Sequence, residues 1–108
     1  MTFSFDSKTF AVTEFFTYPT CVIDRICEFE EYLDKPNPRK ADEDVKEFFN
    51  KCLKYAEEKL GRHLMDNKVA MKVVVPETGQ FFYVGYKDNI YAIGLALNPY
   101  MTGKCIDI

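Results

Sequence analysis

Between Lys68 and Leu97 two turn signals divide an apolar-rich run into three segments, and together they leave little freedom in how the run pairs with itself. Asp88 and Asn89 both tolerate the left-handed backbone of a two-residue type I′ turn, which sets Lys87 opposite Ile90. Counting back gives Tyr86 with Tyr91, Val84 with Ile93 and Phe82 with Leu95. A four-residue loop at Pro76–Gly79 sets Val73 opposite Phe82, Met71 opposite Val84 and Val69 opposite Tyr86. Directly opposed residues share a face. One face is then Val69, Met71, Val73, Phe82, Val84, Tyr86, Tyr91, Ile93, Leu95 and Leu97, apolar at every position. The other carries Ala70, Lys72, Val74, Phe81, Tyr83, Gly85, Lys87, Ile90, Ala92, Gly94 and Ala96. A slip of one residue would mix the two sets, so two independent turns agreeing on one apolar face predict a three-stranded antiparallel meander with the first face turned to the core.

The rest of the chain supplies what covers that face. A chain of 108 residues makes one domain, residues 1–108, that buries roughly two-thirds of its unfolded surface. Thr2–Phe5 and Thr9–Phe16, with Asp6-Ser7-Lys8 between them, read as a β-hairpin that adds Phe3, Phe5, Phe10 and Val12 to the core; a short helix capped by Ser7 competes. Tyr18-Pro19-Thr20 opens a helix to about Asp34, because proline suits a first helical turn. Val22, Ile26, Phe29 and Leu33 form its buried stripe, and Asp24, Glu28 and Glu31 form a carboxylate ridge on its other side. Pro36 and Pro38 end it. A second helix starts at Pro38 or near Asp42, with Asp42, Glu43 and Asp44 where the helix dipole favours negative charge. It buries Val45, Phe48, Phe49, Cys52, Leu53, Ala56, Leu60 and Leu64, and Gly61 marks its end or a fray just before it. The tail from Met101 reads as a final short edge strand, tied down by its apolar end. The predicted fold is therefore a two-layer α+β domain: an antiparallel sheet, made of the N-terminal hairpin and the C-terminal three-stranded meander, with two helices on one face.

Several function classes are disfavoured. The formal net charge is -3, against the basic balance of nucleic-acid binders. No apolar run reaches membrane-spanning length, and Met1–Asp6 has no basic stretch ahead of an apolar one, so no signal peptide is expected and the setting is cytoplasmic. Cys21, Cys27, Cys52 and Cys105 form no C-x-x-C pair and no histidine-flanked set, which points to free thiols rather than disulfides or a metal. His63 has no sequence neighbour that would make it the base for a cysteine nucleophile. Asp24, Glu28 and Glu31 share a face but have no histidine or glycine-rich loop beside them. Phosphate-binding loop, dinucleotide fingerprint and G-x-S-x-G are all missing. Catalysis, cofactor and metal are accordingly not expected.

What stands out is aromatic surface. Ten Phe and seven Tyr make up 16% of the chain, more than a small core needs. Phe81, Tyr83, Val84 and Tyr86 match the aromatic half of an RNA-recognition strand. The basic residue and glycines of that pattern are absent, with Gly79-Gln80 and Phe82 in their places, and both helices precede the meander instead of alternating with strands. Register offers Tyr83 a simpler role, covering Gly94 across the strands. The reading is a small protein-interaction module, an inhibitor or regulator of a larger enzyme complex. Its surface is Phe81, Tyr83, Val74 and Ile90 with Lys72 and Lys87 as a polar rim. Asp24, Glu28 and Glu31 offer a second surface to a basic partner, although a plain solvated helix face accounts for them as well. The expected partner is another protein, a second copy included, and neither a membrane nor a nucleic acid. Two alternatives stand beside it: a single-stranded nucleic-acid binder stacking bases on Phe81 and Tyr83, and an enzyme or small-ligand binder with a pocket between sheet and helices. The bland reading of the aromatic face is that the hairpin or the tail folds back over it.

Overall fold

In the computed structural model, which describes residues 2–17, 29, 33, 41–61, 63, 68–87, 90–96 and 104–108, the chain begins with the expected hairpin. Strand β1 (Phe3–Phe5) returns as β2 (Lys8–Thr17) through Asp6 and Ser7. Both turn residues have positive φ, 51° and 66°, the type I′ geometry whose twist matches the flanking strands. The turn sets Phe5 opposite Lys8 and Phe3 opposite Phe10.

β2 pairs with β3 (Lys68–Val74), and the meander continues through β4 (Phe81–Lys87) to β5 (Ile90–Gly94). All neighbours are antiparallel, in the order β1-β2-β3-β4-β5, and β6 (Lys104–Asp107) also joins β2. β1 and β6 divide one edge of β2 between them: β1 lies along Lys8–Phe10 and β6 along Glu14–Thr17. Ile108 extends the second half, its N–H donating to Thr13 O at 3.0 Å. The tail is thus the tied-down edge strand the sequence suggests.

The meander has the predicted register, Val73 opposite Phe82, Met71 opposite Val84, Val69 opposite Tyr86, Val84 opposite Ile93 and Lys87 opposite Ile90. At the Pro76–Gly79 loop Val75 O accepts from the N–H groups of Thr78 and Gly79. Gly79 takes the left-handed conformation, φ 75°, that closes such loops. One predicted pair is not formed. The β4–β5 ladder ends at Tyr83 opposite Gly94, and Leu95 sits in a bend, 40% exposed. Glycine, with no side chain to pack, is where a strand most readily bends away. Leu95→Ala is accordingly expected to change stability by less than about 0.5 kcal/mol, read from the urea midpoint.

A single irregularity sets which side chains of β2 reach the core. Val12 pairs with Val73 and Glu14 with Lys72, so Thr13 is an extra residue opposite nothing, a β-bulge. Ahead of it Phe10 and Val12 are buried; beyond it the alternation is shifted by one, and Phe15 is buried at 0% exposure. Glu14 and Phe16 are thereby sent to the opposite face, each only partly buried.

Helix α1 (Ala41–Leu60) packs on the Phe15 side. Val45, Phe48, Phe49, Cys52, Leu53 and Ala56 are buried in the helical spacing expected. Gly61, at φ 67°, donates its N–H to Glu57 O at 2.9 Å and ends the helix. Among the described residues this is the one helix on the sheet, where two were expected. The predicted first helix lies outside the described residues except for Phe29 and Leu33. These two are buried in the core, and Leu33 N–H donates to Phe29 O at 3.3 Å.

Candidate docking face of the sheet

The face of the sheet turned away from α1 follows from register. Four cross-strand rows compose it: Ala11, Val74 and Phe81; Asp107, Glu14, Lys72, Tyr83 and Gly94; Cys105, Phe16, Ala70, Gly85 and Ala92; and Lys68, Lys87 and Ile90. Large rings alternate here with minimal side chains. Ala70, Gly85 and Gly94 are buried although no described helix covers them, because Phe16 lies directly across from Ala70 and Tyr83 across from Gly94. Small residues beneath aromatic ones let the rings lie over the strands, a recurrent sheet device.

The rings form a chain. Phe16 and Tyr83 have centroids 6.2 Å apart at 59°, and Tyr83 and Phe81 6.2 Å apart at 86°, an edge-to-face contact. Lys72 Nζ sits 4.4 Å from the Phe81 centroid, within cation–π range. Phe81 nonetheless remains 46% exposed. In the second row Glu14 stands opposite Lys72, a favourable cross-strand arrangement, and opposite Asp107 of β6 on its other side.

Neither the hairpin nor the described part of the tail, residues 104–108, lies on this face. The hairpin extends the sheet sideways through β2, and β6 borders the same strand. The structure therefore brings Phe81, Tyr83, Val74 and Lys72 together on one surface that no described segment covers. Lys87 and Ile90 pair with each other at the end of the β4–β5 ladder, in the fourth row of the same face. Asp24, Glu28 and Glu31 lie outside the described residues. Sequence reasoning missed Phe16 and Glu14, which a regular strand would have pointed at the helix. The signal was the Phe15-Phe16 doublet: two adjacent phenylalanines cannot both face the core of one strand.

The other chemical features stay apart from this face. His63 is 82% exposed, and its Nδ1 pairs with Glu57 Oε2 at the end of α1. Cys52 is a free thiol buried beneath the sheet, so the two do not form a nucleophile–base pair. No group of three His, Cys, Asp or Glu side chains converges as a metal site among the described residues. No helix among them is long and apolar enough to cross a membrane.

Burial pushes the Cys52 thiol well above its ordinary range, outweighing the opposing effect of a backbone hydrogen bond. The unfolded chain loses this proton at the ordinary thiol pKa, whereas the folded chain keeps it. The folded state then binds more protons above that point, and stability falls as pH rises, having been fully present at lower pH. We expect a loss of up to about 1.4 kcal/mol per pH unit above roughly pH 9. Urea titrations across that range should show the Cys52→Ala protein free of this part of the slope. Burial raises the Tyr55 phenol too, which adds a decline of the same sign at higher pH.

Comparison with protein-family models, with curated proteins and with solved structures finds no match to this chain.

Proposed function

We propose that the chain is a small protein-interaction module that docks another protein on the open sheet face and so inhibits or regulates a larger enzyme complex. The observation that carries this reading is Phe81. It is a large apolar ring left 46% exposed at the end of a packed aromatic chain, with Lys72 beside it. Aromatic centres with a charged rim are the composition of recognition patches. A free buried thiol at Cys52 suits a reducing compartment, and the cytoplasmic setting belongs to the same proposal.

A nucleic-acid partner is less well served. Glu14 places a carboxylate in the same row as Tyr83, and the chain as a whole is at -3. Both repel a phosphate backbone. The test is a photo-crosslinking side chain at position 81, compared with one at Glu77 in the β3–β4 loop. Irradiation in extract of the native cells is expected to give a defined protein adduct from position 81 alone, and Phe16→Asp in the same chain should suppress it. An adduct destroyed by ribonuclease would establish the nucleic-acid reading instead. Absence of any adduct specific to position 81 would sink both.

A further inference from the structure

A second site lies at the other side of the sheet and owes nothing to the open face. An open groove of about 510 Å³ runs between β1 and α1, lined by Thr2, Phe3, Ser4, Lys51, Lys54, Tyr55 and Glu58. Among the described residues, its strand wall has unused hydrogen-bonding capacity. In a two-residue hairpin the residues flanking the turn, Phe5 and Lys8, exchange their hydrogen bonds, and the next pair, Ser4 and Thr9, points its backbone groups away from the partner strand. Lys51 Nζ confirms the direction by donating to Ser4 O at 3.0 Å from outside the hairpin. Since N–H and C=O of one residue in an antiparallel strand point the same way, the Ser4 N–H faces the groove as well. Ser4 and Thr2 are both exposed.

The remaining walls specify a ligand. Phe3 and Tyr55, with centroids 5.4 Å apart, give an aromatic floor. Lys51 and Lys54 against Glu58 leave the groove locally basic on a chain whose net charge is -3, and Lys59 Nζ lies 6.0 Å from the Tyr55 ring. We propose that this groove binds an extended acidic peptide that adds as a strand to the free edge of β1. Backbone groups of the peptide pair with Thr2 and Ser4, one side chain rests on Phe3 and Tyr55, and a carboxylate side chain draws Lys51 off Ser4 O. Lysine on a free edge is a common guard against unwanted pairing. Here it admits a partner that brings its own negative charge, by the strand-addition mode of peptide recognition.

The probe is a fluorescein-labelled peptide of alternating valine and glutamate, about seven residues long, followed by fluorescence anisotropy with the full chain. Saturable binding at around 100 μM is expected, weakened roughly tenfold or more when lysine replaces glutamate in the peptide. N-methylation of alternate peptide nitrogens should abolish it, and Ser4→Pro, which removes the outward N–H, should weaken it. Lys54→Glu, at an exposed helix position that leaves folding intact, should also cost about tenfold, whereas Phe81→Asp should have no effect. The proposal is overturned by absence of saturation up to about 1 mM, by equal binding of the lysine or N-methylated peptide, or by sensitivity to Phe81→Asp. It is equally overturned if the β1 edge pairs with a second copy of the chain in place of the peptide.

Discussion

Phe48→Ala is expected to remove about 3–5 kcal/mol of stability, the largest loss from any single side chain of α1. Phe48 is fully buried, and five rings among the described residues surround it: Phe10 at 4.9 Å, Phe5 at 5.3 Å, Phe29 at 5.4 Å, Phe82 at 5.9 Å and Phe3 at 6.0 Å. These come from β1, β2, β4 and the segment before α1. Truncation loses the transfer energy of the ring and leaves a cavity, and four of the neighbours are fixed in strand ladders that cannot move in to fill it. Domains of this size are stable by about 5–15 kcal/mol, so the loss would consume at least about a fifth of the total. Urea unfolding should show a lower midpoint with the slope unchanged. A change under about 1 kcal/mol would mean that α1 does not sit on the sheet by this face.

The second large contrast comes from two adjacent residues of β4. Phe82 is buried at 0% and Phe81 exposed at 46%, because successive side chains of a strand take opposite faces. Phe82→Ala should cost about 3–5 kcal/mol. Phe81→Asp should leave the melting temperature within about 2 °C of the parent, a surface-level effect, since the new carboxylate lies beside Lys72 and recovers part of the lost cation–π contact. The same substitution should weaken docking on the open face at least tenfold, about 1.4 kcal/mol or more, as expected when a central aromatic contact is lost. Differential scanning calorimetry and binding to the crosslinked partner measure the two halves. A large fall in melting temperature for Phe81→Asp would show that Phe81 belongs to the core, and the docking reading would fail.

The sheet was readable where short turns fixed neighbouring strands against each other. The turn signals at Asp88-Asn89 and Pro76–Gly79 concern residues close in sequence, so counting from them places Val73 against Phe82 and Val84 against Ile93. Pairings between distant segments carry no such local rule. Nothing near Ala11–Thr17 says that it lies beside Val69–Val74, or that Lys104–Asp107 returns to it. The bulge at Thr13 was invisible to a count of alternating residues for the same reason, although the Phe15-Phe16 doublet was its trace. Of the open face, Phe81, Tyr83, Val74 and Lys72 were legible because the meander's register carries them, and Phe16 and Glu14 were not because the bulge does. Leu95 was misplaced by extending the ladder through Gly94, a residue that holds a strand weakly. The groove beside β1 was beyond reach from sequence, since it needs Lys51 of α1 and Ser4 of β1 side by side.

The placement of β6 has a kinetic consequence. Synthesis proceeds from the N-terminus, so β2 is made about ninety residues before β6, its neighbour along Glu14–Thr17. The β2–β3 contact already spans about 52 to 63 residues, and the β2–β6 contact joins Thr17 to Lys104. Closing loops of that length before any pairing energy is gained slows folding, as in other sheets dominated by distant pairs. During translation a strand containing Phe15 and Phe16 therefore waits with one edge unpaired until Lys104–Asp107 has left the ribosome. The aromatic residues that build the finished face make that waiting period the time when the chain is most exposed to association with itself.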